Sequence, residues 1–194
     1  MKRACIGIFI AGLLSASTLI AAPIHTAAKK GDLAKIQGLV KAKPELVSLK
    51  NPDGETPLHC ACAAGQKAVV EFLLSNGADV RACDGEGMTP LHHAATATEP
   101  AVISLLLEKG AEIDARDSEG VTPLLVAIAG GELKPVQLLL DAKADAKAVD
   151  KAGLAALHYA AGDGESEAPE RIEIYKLLVA KGASIGATDA EGVT

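Results

Sequence analysis

One spacing constrains this chain more than anything else in it. Thr56, Thr89 and Thr122 stand 33 residues apart, and each opens a near-copy of the same text. "TPLHC" returns as "TPLHH" and then "TPLLV", and the same register gives "AALHY" from Ala155. The closing text recurs as well: "GADVRACDGEG", "GAEIDARDSEG", "KADAKAVDKAG" and "GASIGATDAEG". A degenerate earlier copy, "PIHTAAKKGDLAKIQGLV", begins at Pro23, which makes about five units. A fixed period of this length marks supersecondary units stacked side by side.

Each unit reads alike. Thr56 is placed to cap a helix, with Pro57 at the first helical position, where its missing N–H costs nothing. Leu58, Ala61 and Cys62 give that short helix an apolar face, and Gly65 ends it. "AVVEFLL" predicts a second helix with Val69, Val70, Leu73 and Leu74 on its apolar side, stopped at Gly77. "ADVRACDGEG" is then an extended segment with a turn, leading to the next Thr. Two helices of two to three turns do not hold alone, so the pattern has to be stacked. Ala61, Ala94, Ala127 and Ala160 let the layers approach closely. The composition agrees: the chain is 49% hydrophobic but 2% aromatic, so its core must be thin layers of aliphatic side chains.

The first residues stand apart. "MKRACIGIFIAGLLSASTLIAA" has a basic start, an apolar run over 4–14 and small residues after it, the pattern of a secretory signal peptide over 1–22. Cleavage is expected near Ala21–Ala22; an uncleaved leader would instead tether the chain to a membrane. Losing Lys2 and Arg3 takes the formal charge from −6 to −8. An acidic chain without a basic tract does not suit nucleic acid. Cys5 leaves with the leader. Of the three other cysteines, Cys60 and Cys62 read as small buried residues and Cys83 as an exposed thiol, with a link between one of the pair and Cys83 as the alternative.

The motif TPLHxAA…G…VVxLLxxGADVNAxDxxG is matched closely over 56–88 and 89–121 and fairly over 122–154. On these residues the chain resembles the ankyrin repeats. The resemblance implies an all-α ankyrin-repeat solenoid of about five helix–turn–helix units with projecting β-hairpin loops, in units of approximately 23–55, 56–88, 89–121, 122–154 and 155–193. The first unit lacks Thr-Pro and carries Lys29, Lys30, Lys35, Lys41 and Lys43, as a soluble N-terminal cap should. The fourth has Leu125 for His and Lys143 for Gly, and a Lys at such a helix stop predicts backbone strain. The fifth has Ala155–Ala156 for Thr-Pro, which removes the cap, and six extra residues in an acidic insertion around 163–170.

His25, His59, His92 and His158 share one repeated position. Successive equivalents lie about 10 Å apart, too far to share one metal ion. By the resemblance they are structural, with His59 paired to Thr56 and His92 to Thr89, while the extra His93 takes an apolar, packed position. His59, Cys60, Cys62 and Cys83 match no zinc spacing. Asp163, Glu165, Glu167 and Glu170 do not follow the twelve-residue calcium loop and read as a solvated loop. No G-x-S-x-G or G-x-x-x-x-G-K-[ST] sequence occurs. The expectation is no enzyme, no cofactor and no metal.

What remains is binding. The resemblance places variable surface positions at the hairpin tips and the inner helix face, giving Asp53, Glu55, Arg81, Glu86, Met88, Arg116, Glu119, Val121, Lys151 and Leu154 as candidate partner-binding residues, with Ala63, Thr96, Ala97 and Ala129 on the helix face. The expected function is a non-enzymatic, monomeric protein-binding module acting in the periplasm or after secretion. A structural spacer, a piece of a longer array and a secreted effector are the alternatives.

Overall fold

Short helices follow one another in pairs because each apolar stripe is too narrow to be buried alone. The computed structural model describes residues 17–97, 99–161, 169–184 and 186. The elements among them are α1 (Ser17–Lys30), α2 (Leu33–Ala42), a 3-10 turn (Pro44–Ser48), α3 (Pro57–Ala63), α4 (Lys67–Ser75), α5 (Pro90–Ala95), α6 (Pro100–Glu108), α7 (Pro123–Gly130), α8 (Leu133–Asp141), α9 (Ala156–Ala161) and α10 (Pro169–Ala180). Odd-numbered helices pack on one another in chain order to form an inner layer, and even-numbered helices form an outer one. The core runs between the layers. Leu58, Leu91 and Leu124 from the inner row meet Leu73, Leu106 and Leu139 from the outer row, all fully buried. Ala61, Ala94 and Ala127 are fully buried too, as close approach of the inner helices requires. The fold is the all-α repeat solenoid expected from the sequence.

The first helix enters earlier than the repeat pattern implied. α1 begins at Ser17 and carries Pro23 inside it. The rest of the leader, the insertion at 162–168 and residues 187–194 lie outside the described residues.

The projecting loops are hairpins of minimal length. Each is closed by two backbone bonds: the N–H of Asn51, Asp84, Asp117 and Asp150 donates to the carbonyl of Glu55, Met88, Val121 and Leu154 at 2.9 to 3.1 Å, and the N–H of Gly54, Gly87, Gly120 and Gly153 donates back to the first residue's carbonyl at 3.0 to 3.3 Å. The Asp84, Asp117 and Asp150 carboxylates each accept two further backbone N–H groups of their own turn, the local bonding that makes Asp a turn residue. Among the described residues, strand-type pairing is confined to the bridge between Val149 and Ala155.

Two departures in the repeat text have structural consequences. Lys143 takes φ 73° where the preceding units have Gly77 and Gly110 at φ 87° and 86°. Its Cβ sits in the left-handed region that disfavours every residue but glycine. Lys143→Gly is therefore expected to stabilise the chain by about 1 kcal/mol, read as a higher urea midpoint with unchanged slope. The fifth unit is less impaired than its sequence suggests. Ala155 lacks the Thr hydroxyl, yet its N–H still bonds to His158 Nδ1 at 3.0 Å, so the imidazole half of the cap survives.

Candidate functional site

The surface that could meet a partner is built on a histidine relay within the stack. The Thr56 N–H donates to His59 Nδ1 at 3.1 Å, and the Thr56 hydroxyl faces the same atom at 2.8 Å. That fixes the tautomer: Nε2 carries the proton and donates to the carbonyls of Ala82 and Met88 at 3.1 and 3.2 Å. One imidazole thus ties the start of α3 to the loop that follows its own unit. His92 repeats the arrangement with Thr89 N–H at 3.0 Å and Val121 O at 3.1 Å. His25 bonds Leu49 O and Glu55 O. Burial holds the His59 ring neutral, down at about 4, with the neighbouring His93 pushing the same way. Burial also lowers His92. These histidines are structural, and among the described residues no set of three or more His, Cys, Asp or Glu could hold a metal ion.

The turn tips are laddered from unit to unit. Gly85 N–H donates to Asp53 O at 2.8 Å, Ser118 to Glu86 at 2.9 Å and Lys151 to Glu119 at 2.9 Å. At the first rung the chains come so close that a Cβ on Gly85 would lie 2.7 Å from Asp53 O. The rungs are main-chain bonds, joined at the second by the Ser118 hydroxyl, which also donates to Glu86 O. Asp53, Glu86 and Glu119 therefore hold the row together through their carbonyls while their side chains stand exposed on it.

Other candidates serve the fold with their side chains. Arg81 Nε donates to Gly110 O at 3.0 Å. Arg116 Nη1 donates to Gly120 O at 2.9 Å and to Val149 O in the next loop. Lys50 Nζ does the same to Cys83 O at 2.7 Å. Arg81 and Arg116 stay exposed but have their guanidinium groups directed to carbonyls, so with Lys151 as the other exposed candidate cation the tips present mainly carboxylates. Met88, Val121 and Leu154 are half-buried, offering apolar edges rather than anchors. Ala63, Thr96 and Ala129 are exposed on the inner helix face, whereas Ala97, placed there from sequence, is 4% exposed and belongs to the core.

The feature the sequence did not bring out is His93. It is not simply packed. Its Nε2 lies 2.8 Å from Asp84 Oδ2, its Nδ1 4.0 Å from Glu55 Oε1, and its ring meets His59 edge-on with centroids 5.2 Å apart. Burial alone would raise the Asp84 carboxyl, but the His93 bond and the N–H groups of Met88 and Glu86 outweigh it and hold it below its ordinary value. The two ring nitrogens address carboxylates from two successive units, so Glu55 is a joint between units as well as a surface residue. Tyr159, in the same register, bonds Asp150 Oδ2 at 2.8 Å. Residues nine apart, Asp84 with His93 and Asp150 with Tyr159, were the available signal.

The cysteines offer no nucleophile. Burial, reinforced by the Glu55 carboxylate, pushes the Cys60 thiol up to about 12, and burial raises Cys62 still further. Both are free thiols, so neither is linked to Cys83. Cys83 is half-buried rather than the exposed thiol expected there. Cys60 and Cys62 are expected to react with a thiol reagent at pH 8 only as fast as the chain opens, and fully once it is denatured.

A stack of helix pairs, two of them opened by Thr–Pro–Leu–His and the others by variants of it, and tied from unit to unit by their loops, matches one family. The family model for ankyrin repeats (3 copies) covers residues 24–117 and 112–189. The chain belongs to the ankyrin repeat family. Ankyrin repeats are in general protein-interaction modules. Among curated proteins it is similar to the "Probable 26S proteasome regulatory subunit p28" of Saccharomyces cerevisiae, 34% identical over 62 residues, which is 32% of this chain and 27% of that protein. It is also similar to human NAD-capped RNA hydrolase NUDT12, 35% identical over 60 residues, 31% of this chain and 13% of that one. Palmitoyltransferase akr1 of Aspergillus oryzae matches at 41% over 59 residues, 30% of this chain and 8% of its own length. The matched stretches span about a quarter or less of these relatives.

Proposed function

We propose that this ankyrin protein is a non-enzymatic module that binds another protein outside the cytoplasm, along its inner helix face and turn tips. The observation that carries this reading is the main-chain ladder linking the tips. It holds the row in register without using the side chains of Asp53, Glu86 and Glu119, which leaves them to be set by a partner. Their carboxylates, the half-buried Met88, Val121 and Leu154 and the exposed Lys151 favour a partner segment that is basic and supplies its own large apolar anchors, since this surface has no aromatic at its tips. The leader pattern over 1–22 supports export.

The test combines site and location. A photo-crosslinking side chain is placed at Glu86, at Glu119 and, as control, at the exposed Lys134 of the outer helix α8, in cells that are then fractionated. The reading expects one protein captured from the tip positions and not from Lys134, in the exported fraction, with a mature terminus near Ala22. Equal capture from all three positions would sink the binding surface, and an intact leader in the cytosol would sink the export.

A further inference from the structure

One turn in the row is left unfinished. The residue that opens each tip turn spends one side-chain oxygen on the turn itself: Oδ1 of Asn51, Asp84, Asp117 and Asp150 each accepts two backbone N–H groups at 2.8 to 3.0 Å. The four differ at the other side-chain atom. Asn51 Nδ2 donates to Glu55 Oε2 at 2.7 Å, Asp84 Oδ2 meets His93 Nε2 at 2.8 Å, and Asp150 Oδ2 accepts from the Tyr159 hydroxyl at 2.8 Å. For Asp117 the residue nine positions on is Val126, on α7, which has nothing to donate. Among the described residues Asp117 Oδ2 has no hydrogen-bond partner, and no ion pair joins Asp117 to Lys151 or to Arg116, whose Nη1 donates to Gly120 O and Val149 O. Asp117 is half-buried, as are Val121 and Val126. The register that sets Glu55 against His93 gives Met88, also half-buried, the corresponding place against Val126. The result is an aliphatic notch with one open carboxylate oxygen, between the third and fourth turns. Its charge reaches the groups around it. Burial and the bonded Asp150 raise the Tyr159 hydroxyl and Asp117 adds to the rise, while burial lowers His92 and Asp117 opposes it.

We propose that this notch takes a lysine side chain from the partner protein, with its stem against Met88, Val121 and Val126 and its ammonium on Asp117 Oδ2. The inference rests on the binding reading above and gives that surface its anchor point. Charge and shape choose the occupant. The whole chain carries −6 and the neighbouring tips present the exposed Glu86 and Glu119, so a cation is drawn to this row. A four-carbon stem covers aliphatic surface while its charged end reaches a polar atom. With Oδ1 already holding two N–H groups, one oxygen is left, which suits a point charge; the guanidinium fork of arginine needs both oxygens for its paired bonds. An apolar side chain of the same length would cover Oδ2 and leave it unpaired, at a cost in affinity.

Two substitutions act on the oxygen and spare the turn. Asp117→Asn keeps Oδ1, and Asn51 shows that the turn accepts an amide there. Val126→His supplies the internal donor that His93 supplies to Asp84, which closes the notch from within. The probe is a short soluble peptide with one central lysine between leucines, titrated to about 10 mM against the methyl-labelled full chain and followed by NMR. The Val121 and Val126 methyl signals should shift and saturate. Binding should weaken about tenfold with Asp117→Asn, with Val126→His read at Val121, or with norleucine in place of the lysine, and arginine should bind less well than lysine. In cells, capture by the crosslinking side chain at Glu119 should fall by a similar factor when Asp117→Asn is added. Shifts that do not saturate, a norleucine peptide that binds equally, or peptide binding indifferent to Asp117→Asn would overturn the notch. Capture undiminished by Asp117→Asn would overturn it too, while the binding surface stands. A lysine peptide that binds as expected, with no protein captured from any tip, would support the notch and sink the wider reading.

Discussion

Lowering the pH from 7 to 4.5 is expected to remove about 2–3 kcal/mol of stability through His59 alone. The ring has 0% exposure, and its one available tautomer is fully used: Nδ1 accepts from the Thr56 N–H and Nε2 donates to two carbonyls. A second proton would have to sit on Nδ1, facing a donor. The folded ring therefore gains a proton only near 4, against about 6.5 for an exposed histidine. Between those values the unfolded chain holds more protons than the folded one, so stability is complete above about 6.5 and drains away as the pH falls toward 4. His92, lowered for the same reason, adds to the loss. Urea unfolding at a series of pH values checks this, and His59→Leu separates the cause. Leu125 shows that the register accepts leucine, fully buried behind the Thr122 cap. That variant should be weaker at pH 7, because two carbonyls and the Thr56 N–H lose their partner, yet its stability should fall less on acidification. A slope equal to that of the parent chain would assign the acid sensitivity to other groups.

The same histidines show what was legible in the sequence. A 33-residue period with Thr-Pro at the start and Gly at the stops is a local code, since each residue acts within its own turn. Unit boundaries, the core leucines and the left-handed Lys143 follow from it directly. His93 does not, because its meaning depends on which neighbour's carboxylate comes within reach. Glu55 lies in the loop before α3 and His59 on α3 itself, 38 and 34 residues away, and only the stacking distance brings them together. The candidate surface divides on the same line. Sequence position identifies Arg81 and Arg116 as tip residues, but Gly110 O and Val149 O, which they bond, belong to the next unit's loops. Only the assembled ladder shows that Asp53, Glu86 and Glu119 keep their side chains out of the fold.

Ile103→Ala is expected to cost about 3–4 kcal/mol, and Tyr175→Ala less than about 1 kcal/mol in dilute solution. The two residues hold one register position, so local geometry is matched and the difference isolates burial at that position. Ile103 is at 0% exposure between the third and fourth units, and truncation leaves a cavity that the packed Val102, Leu106 and Val136 around that interface cannot close. Tyr175, at 42% exposure, gives up mainly solvated surface. The shape of the transition is a second readout. An array holds together by nearest-neighbour interfaces, so weakening one in the middle lets the units on either side part company. Urea unfolding of Ile103→Ala followed by circular dichroism should therefore be broader as well as earlier, with a reduced m-value. A transition that shifts without broadening would mean that the five units unfold as one block, and that coupling along the stack exceeds what a single interface supplies.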